Sequence, residues 1–128
     1  MRKSYGAMRF QPSTFATTEV LVYGGTAGGV AAAIAAARAG CAVLLVESGA
    51  HIGGMMASGL GAIDLLRFNS VGGIFREFLD KVRHFYEGTY GENSEQYRLT
   101  WGGVFMEPHV AESTLDQMVK AESLVQVL

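Results

Sequence analysis

Six consecutive residues, Gly24-Gly25-Thr26-Ala27-Gly28-Gly29, and one acid 23 positions after the first of them, Glu47, carry the clearest chemistry in this chain. Glycines at this density let backbone N–H groups approach a ligand that side chains would exclude. N–H groups at the start of a helix also favour an anion. A carboxylate placed like Glu47 can accept hydrogen bonds from both hydroxyls of a ribose and repels a 2′-phosphate. Together these features describe a pocket for the ADP part of a dinucleotide, FAD or NAD in preference to NADP. The best register puts Gly24 at the tight turn, Thr26 at the middle fingerprint position and Gly29 where a helix must lie close to a strand. Thr26 stands where the standard pattern has glycine; its side chain crowds a phosphate, and its hydroxyl can donate a hydrogen bond instead. Gly25 and Gly28 add turn freedom, Ala27 completes the turn, and Ser48 directly follows the acid.

A second glycine-rich stretch follows closely. Gly53 to Gly61 holds four glycines, the adjacent Met55 and Met56, and Ser58. Paired glycines at Gly53 and Gly54 let backbone amides come near a ligand, with Met55 next in line. The other reactive side chains form no catalytic pattern. His51, His84 and His109 lack metal-ligand spacing, so no metal is expected. Ser58 in SGLG is not a nucleophile elbow; it contacts phosphate or caps a turn. Cys41, the single cysteine, can form neither an internal disulfide nor a CxxC redox pair, and cannot hold an iron–sulfur cluster; a buried, inert place at the start of a strand is expected.

The elements that position these residues are readable from periodicity. Thr18 to Tyr23 is a short apolar run with β-branched residues, a buried strand. A helix from about Gly28 to Ala39 follows, rich in alanine and thus able to lie close to a sheet. Arg38 suits its last turn and Gly40 its end. Ala42 to Val46 is the second strand, closed by Glu47. Ile74, Phe75, Phe78, Leu79, Val82, Phe85 and Tyr86 recur at helical spacing, so Gly73 to Tyr86 is an amphipathic helix. Glu87 to Thr100 is polar and reads as a turn-rich excursion, and Trp101 to Phe105 as a short strand. Pro108 opens a helix to about Glu122 with Val110, Leu115, Met118 and Val119 inward. Leu124 to Leu128 is a further strand. The fold class is α/β: a Rossmann-like three-layer dinucleotide-binding fold with an incomplete parallel sheet and flanking helices.

The chain resembles the FAD-dependent oxidoreductase family of the glutathione-reductase type. The similarity is to its branch of bacterial oxidoreductases with a YGGT-x-AG turn, sometimes called xanthan lyase-like, related to heterodisulfide-reductase-like flavoproteins. The residues carrying it are Tyr23 to Gly29, Glu47, His51 to Met55, Ser58 to Gly61, Gly72-Gly73 and Phe105 to His109, spread over about residues 18–128. A threonine at the Thr26 position is usual in that branch. The resemblance implies that Gly53, Gly54 and Met55 lie beside the pyrophosphate and ribityl chain of FAD. It also implies hydride or electron transfer through the flavin, with a small-molecule substrate and NAD(P)H or another electron donor as partners.

Composition narrows the remaining classes. Ten basic and twelve acidic residues nearly cancel, which offers no surface for a phosphate backbone, and no nucleic-acid motif is present. No apolar run reaches the length of a membrane span. Residues 1–17 contain Arg2, Lys3 and Arg9 and no acid, and lack the apolar segment of a secretory signal; they read as a loose arm of a cytoplasmic protein. Residues 18–128 read as the N-terminal part of an FAD-binding domain, truncated at its C-terminal end. The alternatives are the NAD-binding domain of a dehydrogenase and a truncated, non-catalytic product. Substrate, catalytic residues and oligomeric state are not readable.

Overall fold

The computed structural model describes residues 17–128. The arm expected over residues 1–17 therefore lies outside the described residues, Thr17 excepted. Three strands, β1 (Val20–Tyr23), β2 (Val43–Val46) and β3 (Val125–Val127), form a parallel sheet in the order β1-β2-β3. Val20 stands opposite Val43, which stands opposite Val125. Helix α1 (Ala27–Arg38) joins β1 to β2 and touches all three strands. Its contact face is Val30, Ala33, Ile34 and Ala37, where alanine's small side chain lets the helix lie close. Helices α2 (Gly73–Tyr90) and α4 (Pro108–Lys120) pack on α1 and on each other, with the short α3 (Glu95–Leu99) against α2. The α/β class, the parallel sheet and the flanking helices are as the periodicity implies.

One core joins these layers. Ile34, Leu45, Leu79 and Met118, one from each of α1, β2, α2 and α4, are almost wholly buried. Full burial of each contributes about 1.5–3 kcal/mol. Val20, Val22, Val43 and Leu45 face this core, while Leu21 and Tyr23 on the other face of β1 are exposed, so β1 is not the buried strand expected from its apolar run but is covered on one face only. Arg38, in the last turn of α1, ties the layers from outside. Its Nη1 donates to Glu77 of α2 at 2.8 Å, and its Nε donates to Glu122, beyond α4, at 2.7 Å. These carboxylates hold the guanidinium protonated, above its ordinary range, and Arg38 in turn lowers the Glu77 pKa. The chain stops α1 at Ala39 and turns through Gly40 at φ +93°, a left-handed position that favours glycine.

Five expectations about element ends and local structure need correction. Helix α2 does not end at Tyr86 but runs through Gly88 to Tyr90, because Tyr86 and Tyr90 stack one turn apart with ring centroids 6.0 Å from each other. The polar stretch after it contains α3, capped by the Ser94 hydroxyl, which accepts from the Tyr97 N–H. Trp101 to Phe105 is not a strand. Trp101, Gly102 and Gly103 all have positive φ, so the backbone turns there, and pairing is limited to one antiparallel bridge between Ala62 and Phe105. Helix α4 ends at Lys120, and Cys41 is half-buried, not fully enclosed.

Candidate functional site

The glycine turn sits between the end of β1 and the start of α1. Gly24 has φ +107°, the left-handed conformation that the tight turn needs. Gly29 is where helix meets strand end: a β-carbon built on it would fall 2.0 Å from the Gly24 carbonyl oxygen. Both fingerprint roles read from the spacing thus coincide with steric demands of the backbone. Thr26 is the N-cap of α1, and its Oγ1 accepts from the Gly29 N–H at 3.1 Å. The threonine hydroxyl is therefore built into the helix start rather than simply crowding the approach. Ala27 and Gly28 are the first two residues of α1, where helical N–H groups lack partners within the helix. Gly28 is exposed, and a β-carbon there meets nothing nearer than the Thr26 hydroxyl at 3.9 Å.

Gly25 carries more than turn freedom. It is buried, its N–H donates to Glu47 Oε2 at 2.6 Å, and its carbonyl accepts from the Gly53 N–H at 2.6 Å. A β-carbon on it would lie 3.0 Å from both Glu47 Oε2 and Ile52 Cγ2. No signal in the sequence separates Gly25 from its glycine neighbours, because its partners are 22 and 28 residues away.

Glu47 follows β2 directly. Its Oε1 accepts from the Gly49 N–H at 2.8 Å and lies 3.4 Å from the Ser48 hydroxyl, while Oε2 takes the Gly25 N–H. The N–H groups of Gly49 and Gly25 hold its carboxyl below the usual carboxylate range, so it is ionised at neutral pH. Each carboxylate oxygen offers two lone-pair directions; Oε1 meets two donors, Gly49 N–H and the Ser48 hydroxyl, and Oε2 meets one, which leaves acceptor capacity on Oε2.

The chain then returns to the turn. Gly53 forms a parallel bridge with Thr26, and Gly53 and Gly54 have φ +106° and +56°. A β-carbon on Gly53 would meet Leu115 Cδ1 of α4 at 2.9 Å, and one on Gly54 would meet Thr26 at 3.4 Å. Gly54–Met56 is a single 3-10 turn, with Met55 exposed and Met56 packed against the core. The structure thus brings together Gly24 to Gly29, Glu47, Ser48, Gly53, Gly54 and Met55. Beyond it, Gly61 accepts from the Met106 N–H, which carries the loop on to the Phe105 segment.

The histidines stand apart from the turn. His51 Nδ1 lies 2.7 Å from Glu112 Oε1 of α4, a partner 61 residues away that no local pattern announces. A cleft of about 550 Å³ adjoins that pair, with Ile52, His109, Glu112, Asp116 and Val127 in its walls. It borders the loop after Glu47 and includes no residue of the glycine turn. His84 is exposed on α2, and Ser58 is exposed with its N–H donating to the Met55 carbonyl. Among the described residues no three His, Cys, Asp or Glu side chains converge as metal ligands, and no helix is long and apolar enough to cross a membrane.

No curated protein matches the chain. Among solved structures, it is similar to 3-ketosteroid-delta4-(5alpha)-dehydrogenase from Rhodococcus jostii RHA1, solved in complex with 4-androstene-3,17-dione. The identity is 28%, the match covers 68% of this chain and 19% of that one, and the TM-score is 0.35. The family described as FAD dependent oxidoreductase matches residues 19–128, nearly the whole described chain. The chain belongs to the FAD dependent oxidoreductase family.

Proposed function

We propose that this chain is the part of an FAD-dependent oxidoreductase that holds the ADP half of the cofactor. The carrying observation is the convergence on Gly25: its N–H on Glu47 and its carbonyl on the Gly53 N–H join three sequence-distant segments into one cradle. The cradle suits a dinucleotide. Its wall is backbone at Gly24, Gly25, Gly29, Gly53 and Gly54. The first-turn amides of Ala27 and Gly28 suit a pyrophosphate, and Thr26 caps the same turn. Glu47 is an ionised acceptor with a free lone-pair direction on Oε2 for a ribose hydroxyl, and Ser48 beside it can yield its place on Oε1 to a second. Met55, exposed beyond Gly54, would stand beside the ribityl chain on this reading.

FAD, when bound, supplies hydride or electron transfer. The residues of this chain bind and orient it. A small-molecule substrate and NAD(P)H or another donor complete the reading, as does membership of the glutathione-reductase-type branch with the YGGT turn. The test is incubation of the full-length parent protein with FAD and NAD together, removal of free ligand, acid release and chromatography. FAD at one equivalent per chain is expected. Retention of NAD in place of FAD would turn the reading to a dehydrogenase's NAD-binding domain, and retention of neither would defeat it.

A further inference from the structure

Glu47 has a second task, visible in the hydrogen bonds it makes with no ligand involved. We propose that Glu47 is a positioning residue whose carboxylate clips the glycine turn, the following loop and Gly53 into one unit before any dinucleotide arrives. The clip has three parts. Oε2 takes the N–H of Gly25, across 22 residues of sequence. Oε1 takes the N–H of Gly49. Gly25, held by its N–H, offers its carbonyl to Gly53.

Each part answers a physical need. Gly25 is buried, and a buried N–H without a partner is destabilising. Glu47 Oε2 is the partner that satisfies it. The seat around Gly25 is close-fitting as well, since a β-carbon there would crowd Glu47 and Ile52 at 3.0 Å. The displacement of the Glu47 pKa comes first from the Gly49 N–H and next from the Gly25 N–H, with smaller help from Ser48 and no charged side chain. His51, on the same loop, is occupied with Glu112. The carboxylate is thus anchored by backbone dipoles on both oxygens. An anchored carboxylate cannot swing aside for a 2′-phosphate, so selectivity against such ligands is fixed in advance; this last consequence alone rests on the dinucleotide reading.

The experiment needs no cofactor. In the full chain, 1H–15N spectra are recorded while pH falls from neutral, together with the side-chain carboxyl carbon of Glu47. The amides of Gly25 and Gly49 should move on one common midpoint with that carbon, and Gly53 should follow. In Glu47→Gln one oxygen becomes an NH2 that cannot accept, so these amides should lose the titration. Hydrogen exchange at Gly25 or Gly49 should rise at least tenfold, with Leu45 and Val82 unchanged. Amides that ignore the Glu47 titration, or exchange unaltered in a folded Glu47→Gln, would overturn the clip. If Glu47→Gln does not fold, the wild-type titration decides alone. Because apo-protein is measured, a failure of FAD binding leaves this result readable.

Discussion

Replacing Gly29 by alanine adds one methyl group at the tightest point of the proposed cradle. The β-carbon would stand 2.0 Å from the Gly24 carbonyl oxygen and 3.2 Å from its carbon. Ordinary carbon contacts are about 3.5–4.0 Å, so helix and turn must part by more than an ångström. Neither atom is the end of a side chain that could rotate away. Overpacking of this kind costs about 1–3 kcal/mol, and obstruction by backbone points to the upper part of that range. The better helix propensity of alanine offsets at most about 1 kcal/mol. Gly28→Ala is the matched control: the same methyl one residue earlier meets only the Thr26 hydroxyl, at 3.9 Å. It should be neutral or slightly stabilising. Urea unfolding followed by circular dichroism measures both. With an m-value of about 1–3 kcal/mol/M, Gly29→Ala should lower the midpoint by on the order of 1 M. FAD retention should fall in the same variant, because the turn and the helix start move apart. Equal midpoints for Gly28→Ala and Gly29→Ala would refute the close-approach reasoning.

Further outcomes follow from the same geometry. Thr26→Ala removes the α1 cap and should cost about 0.5–2 kcal/mol, with Thr26→Ser restoring most of it, as read by thermal unfolding. Gly103→Ala should destabilise at least as much as Gly29→Ala in urea, since Gly103 has φ +95° and its β-carbon would strike the Leu79 carbonyl. Glu77 has its pKa lowered by Arg38, so its contribution to stability is complete above the unfolded-state value, near pH ~4.3, and is lost as pH falls through the lower folded value. Glu77→Gln should therefore be less stable than wild type at neutral pH, and the gap should close in acid; a gap independent of pH would exclude the ion pair as its source.

What the sequence discloses here is what it encodes locally. The β1–α1–β2 unit needs only contacts within about thirty residues, and its glycines and alanines are dictated by close approach; Gly24, Gly29 and Gly40 take the roles their spacing implies. The long-range parts were hidden. The polar residues of α3 mask a helix that Ser94 starts through a cap. The aromatic and β-branched residues from Trp101 to Phe105 imitate a strand, while Gly102 and Gly103 bend the backbone out of one. Gly25 looks like any other glycine of its turn until Glu47 and Gly53 fold onto it. Glu112 has no reason to be noticed until α4 brings it to His51.

The left-handed Trp101 gives the molecule an optical label of its own. It is the chain's single tryptophan, half-exposed, set edge-on to Phe68 at 5.4 Å and tilted against Phe105 at 6.1 Å. Its backbone belongs to the tight corner after α3, and Phe105 bridges to Ala62 of the segment that descends from Gly53-Gly54. Emission excited selectively at tryptophan, past the absorption of the five tyrosines, therefore reports one corner and not an average over the fold. A flavin absorbs where tryptophan emits, so quenching of that emission turns the distance between this corner and a bound ring into a quantity that fluorescence lifetimes can read.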